Sequence, residues 1–465
     1  MDIKTAKTRS QRIRLAVTLS IPAIIENLLI TLMSIVDTAM VGALGAAATT
    51  AVALVAAPIW IINAIAMAIN AGCSVLVAHY VGASNMDGAR QGARETLVLG
   101  LGFGIIAFAV MWFLAPFIPV WMGGAPDVCN ESTIYLRTVA LGYPLYYMGI
   151  VLGGAIRGYG DTSTPMKITA VANSLNIIGN FLLIYQTRDI VLFGNTMHVW
   201  GAGLGVKGAA IATALSSAVS GAAALLYLVF SKGEFRISFS ESFRLVKRDM
   251  REVIYVGLPM AIERVSINLG QVIFIRIVAS LGTVMLAAHH IAVNAESICY
   301  QPGYGLQSAG TTLAGQAIGA KDEEMAEDYS KILLWLSVAV LTFNAIMMYI
   351  FADPFISFFT PDADVKLNAI MALRLVAYAQ PFFGMYIVGT GILRGLGDVK
   401  IAVPVSIISM WLIRIPAALI IVNGLGLGLK GAWYAMIIDL ILRGIYILFR
   451  VYSGKWKKLY HKSML

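Results

Sequence analysis

Charge is scarce in this chain. Of its 465 residues only 13% are Asp, Glu, Lys or Arg, against about 25% in an ordinary soluble domain. A soluble protein of this length needs far more polar surface to stay in water. Cysteine is scarcer still. Cys73, Cys129 and Cys299 lie far apart and form no CxxC pair, which argues against a disulfide framework and against structural zinc. Catalytic signatures are missing too. No GxSxG, HExxH, paired catalytic aspartate or filter-like loop lies within an apolar run, and no GxxxxGK[ST] is present. An intramembrane enzyme, a channel and an ATP-driven pump are thereby left without a basis in the sequence, and no enzyme activity or cofactor is expected.

Apolar residues fill the space left by charge. They make up 59% of the chain, and the mean hydropathy is +0.80. Apolar runs of about 20 residues recur from end to end, each long enough to cross a hydrocarbon core of roughly 30 Å as a helix. The 44 glycines lie inside these runs as well as between them, which suits close helix contacts in lipid. The pattern predicts twelve spans, near 15–40, 48–80, 96–122, 132–156, 166–186, 201–230, 252–277, 285–317, 331–352, 367–393, 401–422 and 430–450. The basic N-terminus could open a signal peptide. The apolar stretch after it contains Glu26 and Asp37 and lacks an A-x-A-like cleavage site, so it reads as the first span.

The net charge of +9 is not a nucleic-acid signature, because the basic residues sit in short segments between apolar runs. Lys4, Lys7, Arg9, Arg12 and Arg14 precede the first span, and Arg450, Lys455, Lys457, Lys458 and Lys462 follow the last. Alternate loops hold Arg90 and Arg94, Arg157 and Lys167, the run from Lys232 to Arg251, Lys321 and Lys331, and Arg394 and Lys400. The other loops are nearly bare, with Arg188 and Lys366 the main exceptions. This alternation requires an even number of spans with both termini cytoplasmic, in a plasma (inner) membrane.

An internal repeat organises the chain. LSIPAIIENLL matches VGLPMAIERVS, placing Pro22 on Pro259 and Glu26 on Glu263, a step of 237 residues. The same step carries Gly45 to Gly282, Gly82 to Gly319, Pro144 to Pro381, Arg157 to Arg394 and Asp161 to Asp398. Later the step shortens to 223, from Lys207 to Lys430, so the second half has lost residues in an external loop. Each repeat has an even number of spans, so the halves share one membrane orientation and are related by an axis along the membrane normal. The expectation is an all-α polytopic membrane protein: twelve transmembrane helices in two homologous six-helix lobes with pseudo-two-fold symmetry. The lobes span 1–231 and 252–465, joined by a basic cytoplasmic linker at 232–251. Rocking two such bundles about a central cavity is the mechanical logic of alternating access.

Ionisable residues deep in a span are costly and usually face the bundle interior. Glu26 and Asp37 are eleven residues apart, only about 20° off three full helical turns and roughly 16 Å along the axis. Asp37 lies nearer the external end. Asn173, Asn176 and Asn180 form one stripe on the fifth span, and Asn63 and Asn70 another on the second. Such amides either bond helix to helix or line a hydrated cavity, holding the Asp37 carboxylate or ligating a monovalent cation such as Na⁺. Asp37 could instead be an interfacial helix-end residue, and Glu26 a satisfied structural carboxylate. The second half is equipped differently: the counterpart of Asp37 is Phe274. Its eighth span carries His289, His290, Asn294 and Glu296. With no third ligand apparent, a proton relay or substrate contact suits this group better than a metal site. Asp439, Arg276 and Arg414 are further intramembrane candidates for ion pairs.

Together, DTAMVGALG (Asp37–Gly45), RGYGDTSTP (Arg157–Pro165), its copy RGLGD (Arg394–Asp398), KGAA (Lys207–Ala210), AAHHIAVNAES and GQAIGA (Gly315–Ala320) resemble the multidrug and toxic compound extrusion (MATE) family over nearly the whole chain. The resemblance implies two six-helix lobes that export cationic or lipophilic organic compounds in exchange for H⁺ or Na⁺. It implies that Asp37 is the coupling carboxylate of the first lobe, with Asn176 and Asn180 beside it and Glu26 on the same helix. Many members carry Asp at the position of Asn180. Some carry an acid on the tenth span, where this chain has the neutral PFFGMYIVG (Pro381–Gly389). Second-lobe coupling or substrate contact therefore falls to Glu263, His290, Asn294 or Glu296. The leading expectation is a secondary antiporter for organic cations, drugs or toxic metabolites, coupled to H⁺ or Na⁺ and acting as a monomer in the bilayer. The alternative is a flippase for lipids or lipid-linked oligosaccharides, which predicts a strongly cationic cavity that few intramembrane Arg or Lys residues would supply.

Overall fold

The computed structural model describes residues 3, 6–192, 195–238, 240–241 and 243–457; Lys4, Lys458 and Lys462, counted above among the basic terminal residues, lie outside them. The first half contains α1 (Arg9–Gly42), α2 (Ala46–Gly82), α3 (Met86–Leu114), the short α4 (Ile118–Trp121), α5 (Pro126–Ala140), α6 (Tyr143–Tyr159), α7 (Ser163–Leu183) and α8 (Gly205–Phe230). The second contains α9 (Lys247–Ala279), α10 (Thr283–Gly319), α11 (Glu323–Ile350), the short α12 (Ala352–Ser357), α13 (Ala363–Ala377) and α14 (Gln380–Gly395). It ends with α15 (Ala402–Ile407), α16 (Ile415–Leu419) and α17 (Gly428–Tyr452). Between α7 and α8, where the sequence predicts only an external loop, a hairpin forms from β1 (Gln186–Leu192) and β2 (Asn195–Ala202).

Among the described residues, seven helices are long and apolar enough to cross a bilayer, and nine when each of two bent pairs counts as one span. The long helices α7, α9 and α10 complete the twelve. They fall short only in apolarity, because they carry the asparagine stripe, the Glu263–Arg264 pair and the His289–Glu296 group. The bends have a repeated cause. α5 meets α6 at 53° and α13 meets α14 at 59°, and the second helix of each pair opens with Pro144 or Pro381. Proline lacks the N–H that would continue the ladder and its ring clashes with the preceding turn. The eleventh span, Val399–Gly424, is a single helix that widens into π-helical turns at Ile408–Arg414 and Ile420–Gly424.

The repeat extends to backbone handedness. Gly45 and Gly282, at the starts of α2 and α10, have φ of +109° and +104°, and Ser84 and Lys321, just past their ends, have φ of 57° and 59°. Asn85 and Asp322 cap α3 and α11 by accepting from the backbone three residues on.

The lobes meet mainly on the side where α1 begins, called the terminal side below. Burial on α1 runs from Leu15 to Glu26 and then recurs only at Val41. Leu15, Ala16 and Leu19 join the core of the second lobe with Leu306, Leu313 and Tyr329, whereas the far half of α1 lies along α7 of the first lobe. Helix α1 is therefore shared between the lobes. The linker also docks: Phe235 and Ile237 are buried against Leu152 and Leu228, and Glu95 Oε1 accepts from the Val246 N–H at 3.0 Å.

Inside the first lobe α6 and α8 cross through glycines. A Cβ on Gly221 would land on the Leu145 carbonyl, whereas one on Gly102 of α3 would meet nothing within 4 Å. Gly221→Ala is expected to destabilise the protein by about 1–3 kcal/mol through overpacking, and Gly102→Ala to leave it unchanged. Thermal melts of both variants in one detergent check this; equal melting would overturn the packing account.

Candidate functional site

Asp37 sits four turns beyond Pro22 on α1, half-buried beside α7. Asn180 uses both hydrogens of one amide nitrogen, donating to Asp37 Oδ1 and to Asn176 Oδ1, the latter at 3.0 Å. Asn176 in turn reaches Thr213 and Ser216 of α8 at 3.4 and 3.5 Å. Asn173 donates to the Leu29 carbonyl at 2.7 Å, and the Tyr185 hydroxyl to the Met40 carbonyl at 3.0 Å. The asparagine stripe is thus both helix glue and the wall around the carboxylate. Asn180 Oδ1 is buried with no hydrogen-bond partner among the described residues. An orphaned oxygen next to a carboxylate is an unmet acceptor, and two such oxygens are the donor set a monovalent cation or a proton would use. Val41, Ala48, Ile184, Val206 and Ala209 form the apolar floor.

The structure brings Asp37, Asn176 and Asn180 together and sets Glu26 apart from them. Arg157 Nη1 donates to Glu26 Oε1 at 2.9 Å. The second lobe copies this pair: Arg394 Nη2 lies 3.5 Å from Glu263 Oε2. Glu263 also accepts from the Tyr386 hydroxyl at 2.6 Å and from Ser406 at 3.2 Å. The aspartates of the two loops are held alike. Asp161 accepts from the Tyr227 hydroxyl at 2.8 Å, and Asp398 from Arg450 Nε at 2.7 Å; Tyr227 and Arg450 are themselves related by the 223-residue step.

The group on α10 divides. His290 and Asn294 are exposed, one turn apart on one face. His289 is buried between the rings of Phe274 and Trp433. Glu296 is buried, and its Oε1 accepts from Gln380 Nε2 at 2.8 Å. Phe274, at the position equivalent to Asp37, is buried with the Arg414 guanidinium 5.6 Å from its ring.

A buried cluster around Asp439 extends what the sequence offers. Arg443 Nε donates to Asp439 Oδ1 at 2.8 Å, and Ser409 reaches the same oxygen. Arg414 Nε lies 2.8 Å from Asp439 Oδ2 as an ion pair without hydrogen-bond alignment. The Arg443 guanidinium also covers the Tyr386 ring at 5.5 Å, linking this cluster to Glu263. Arg443 went unremarked in the sequence, yet the signal is there: Asp439 and Arg443 are an i, i+4 acid–base pair inside an apolar span. Arg276, by contrast, is exposed near the end of α9.

Comparison with known proteins matches this frame. The MatE family profile covers residues 22–182 and again 259–420, one copy in each half. Probable multidrug resistance protein NorM of Thermotoga maritima is 30% identical over 443 residues, 95% of this chain and 92% of its own. The uncharacterized transporter YisQ of Bacillus subtilis is 26% identical over 83% of both chains. Among solved structures, an outward-facing multidrug resistance MATE family transporter of the MOP superfamily is similar in fold, with a TM-score of 0.86 at 23% identity over 96% of this chain and 97% of its own. A MOP superfamily transporter from Pyrococcus furiosus, described as having a binding pocket of reverse polarity, reaches 0.85 at 23% identity, covering 95% and 96%.

Removing one member of a buried ion cluster leaves charge without an answer. Asp439→Asn is expected to cost roughly 3–5 kcal/mol, and the triple change Arg414→Met, Asp439→Leu, Arg443→Met to recover much of that loss. Melting curves of the purified variants decide it: an Asp439→Asn protein as stable as the parent would contradict the pairing.

Proposed function

This chain belongs to the MatE family of membrane transporters, and on that premise we propose that it exports organic cations, drugs or toxic metabolites in exchange for H⁺ or Na⁺ by alternating access. The observation that carries the reading is Asp37 on its amide chain, with the orphaned Asn180 oxygen beside it. A charged carboxylate at this depth is costly unless answered. A proton at Asp37 removes the charge that Asn180 now answers; a Na⁺ there would be held by Asp37 and Asn180 Oδ1. Either event rebalances the seam between α1 and α7. Because the other half of α1 is packed into the second lobe, a change at that seam is transmitted to the lobe interface.

In the second lobe, His290 and Asn294 are the candidates for substrate contact, since they share an exposed face of α10. Glu296, buried on Gln380, is the candidate for a second coupling carboxylate. Glu26 and Glu263 we assign to the repeated pairs with Arg157 and Arg394. The flippase alternative is disfavoured by the same geometry: Arg157, Arg394, Arg414 and Arg443 face carboxylates of the protein itself, and Arg264 lies over the Tyr304 ring at 5.4 Å, which leaves little positive charge for an anionic headgroup. The basic residues of the terminal side support a plasma (inner) membrane location with that side cytoplasmic.

Efflux of a fluorescent organic cation from proteoliposomes, with proton and sodium gradients imposed separately, tests the reading. One gradient is expected to drive export; export under neither would remove the antiport proposal. Asp37→Asn is expected to abolish gradient-driven efflux while expression and melting stay normal. Undiminished efflux in that variant would take the coupling role away from Asp37.

A further inference from the structure

Of the hydrogen bonds that cross between the lobes on the terminal side, two are copies of each other. His79 Nε2, in the last turn of α2, lies 3.1 Å from the Gly395 carbonyl oxygen. Gln316 Nε2, in the last turn of α10, donates to the Gly158 carbonyl oxygen at 2.9 Å. His79 and Gln316 are 237 residues apart, and so are Gly158 and Gly395. Each lobe therefore reaches, from the same position, into the RGxGD segment of the other.

The acceptors explain why these contacts count. Gly158 and Gly395 lie in the final turns of α6 and α14, where helix carbonyls have no partner within the helix. A donor from the opposite lobe satisfies them, and a positively charged donor is also favoured by the helix dipole. The backbone approach is copied as well. A Cβ at Gly82 would land on the Gln316 carbonyl, and one at Gly319 on the His79 carbonyl. Ala78 and Gly315, another equivalent pair, meet between them, with a Cβ on Gly315 only 3.0 Å from that of Ala78.

The two halves differ in one respect. His79 Nδ1 lies 2.6 Å from Glu252 Oε1 of α9. Both partners of the ring are acceptors, so both bonds form together only when both ring nitrogens carry protons. The counterpart of Glu252 in the first repeat is Leu15, buried in the core. On the other side the neutral Gln316 is supported by Thr312, whose hydroxyl donates to the Arg157 carbonyl at 3.0 Å.

We propose that His79 and Gln316 are positioning residues of the transport cycle: the two arms of a reciprocal clasp that holds the terminal-side gate shut. Opening to that side breaks both arms and hands two helix-end carbonyls to water. The proposal rests on the alternating-access reading, but not on the substrate or the coupling ion. Spin labels at Asp87→Cys and Glu324→Cys, on the exposed first turns of α3 and α11, report the separation of the lobes in a background with Cys73, Cys129 and Cys299 replaced. Gln316→Ala is expected to raise the population with the longer distance about five-fold, the effect of losing one hydrogen bond, and His79→Ala, which also loses the contact with Glu252, at least as much. His79→Gln, which installs the donor of the other arm, should keep the parent distribution. Gln316→Glu preserves size while removing the donor, and should behave like Gln316→Ala if that variant folds poorly. Parent-like distances in the Ala and Glu variants would overturn the clasp, as would a His79→Gln protein indistinguishable from His79→Ala. Lobes that respond in this way in a protein exporting no organic cation would uphold the clasp and sink the substrate reading instead.

Discussion

Two glutamate–arginine pairs, the largely buried Glu26–Arg157 and the buried Glu263–Arg394, tie the middle of α1 and α9 to the ends of α6 and α14. Neither charge is tolerable alone at this depth, since an unpaired ion in hydrocarbon costs several kcal/mol. The carboxylate and the loop must therefore be placed together, and that requirement fixes how far each long first helix of a lobe can slide against its bundle. The glycine after each arginine then offers its carbonyl across the interface. Internal geometry and lobe-to-lobe contact thus converge on the same short segment.

On this symmetric frame the two lobes carry different chemistry. Where the first lobe has Asp37 facing amides, the second has Phe274 beneath a guanidinium. Where the first lobe uses neutral amide chains on α7, the second uses an Asp439 cluster with two arginines. The first π-helical segment of the eleventh span, Ile408–Arg414, falls at this cluster and ends at Arg414. Such turns often mark functional sites in helices. A lobe held by ion pairs is stiff, because any shift exposes charge. A lobe seam held by amides around one carboxylate can be rebalanced by a single ion.

Helix α1 belongs to both lobes. Its terminal half is buried with Leu306 and Tyr329 of the second lobe, and its far half is stitched to α7 by Asn173 and Asn180 and to the segment just past α7 by Tyr185. Gln301 of α10 adds a bond to Thr31 at 2.8 Å, near the crossover. A single helix bonded at both ends, with Pro22 inside it, is a direct path between a carboxylate near one face of the membrane and a seal near the other.

Much of this was legible in the chain. Apolar runs marked the spans, the 237-residue step marked the lobes, and Pro144 and Pro381 held the cause of both bends. The stripe of Asn173, Asn176 and Asn180 pointed at Asp37, because helical periodicity puts residues on faces without any knowledge of neighbours. The hairpin was not legible because its strands lie between two apolar spans, where the sequence reads as a connecting loop. The pairing of Glu26 with Arg157 escaped because the partners are 131 residues apart, and spacing along the chain says nothing about contacts across helices. The sequence by itself determined what must be buried, what repeats, and which helix faces are polar, all of which follow from composition and local geometry. Only the tertiary structure decided which carboxylates are already answered by arginine and which one faces amides and an orphaned oxygen, because charge pairing depends on distances between helices that no local pattern encodes.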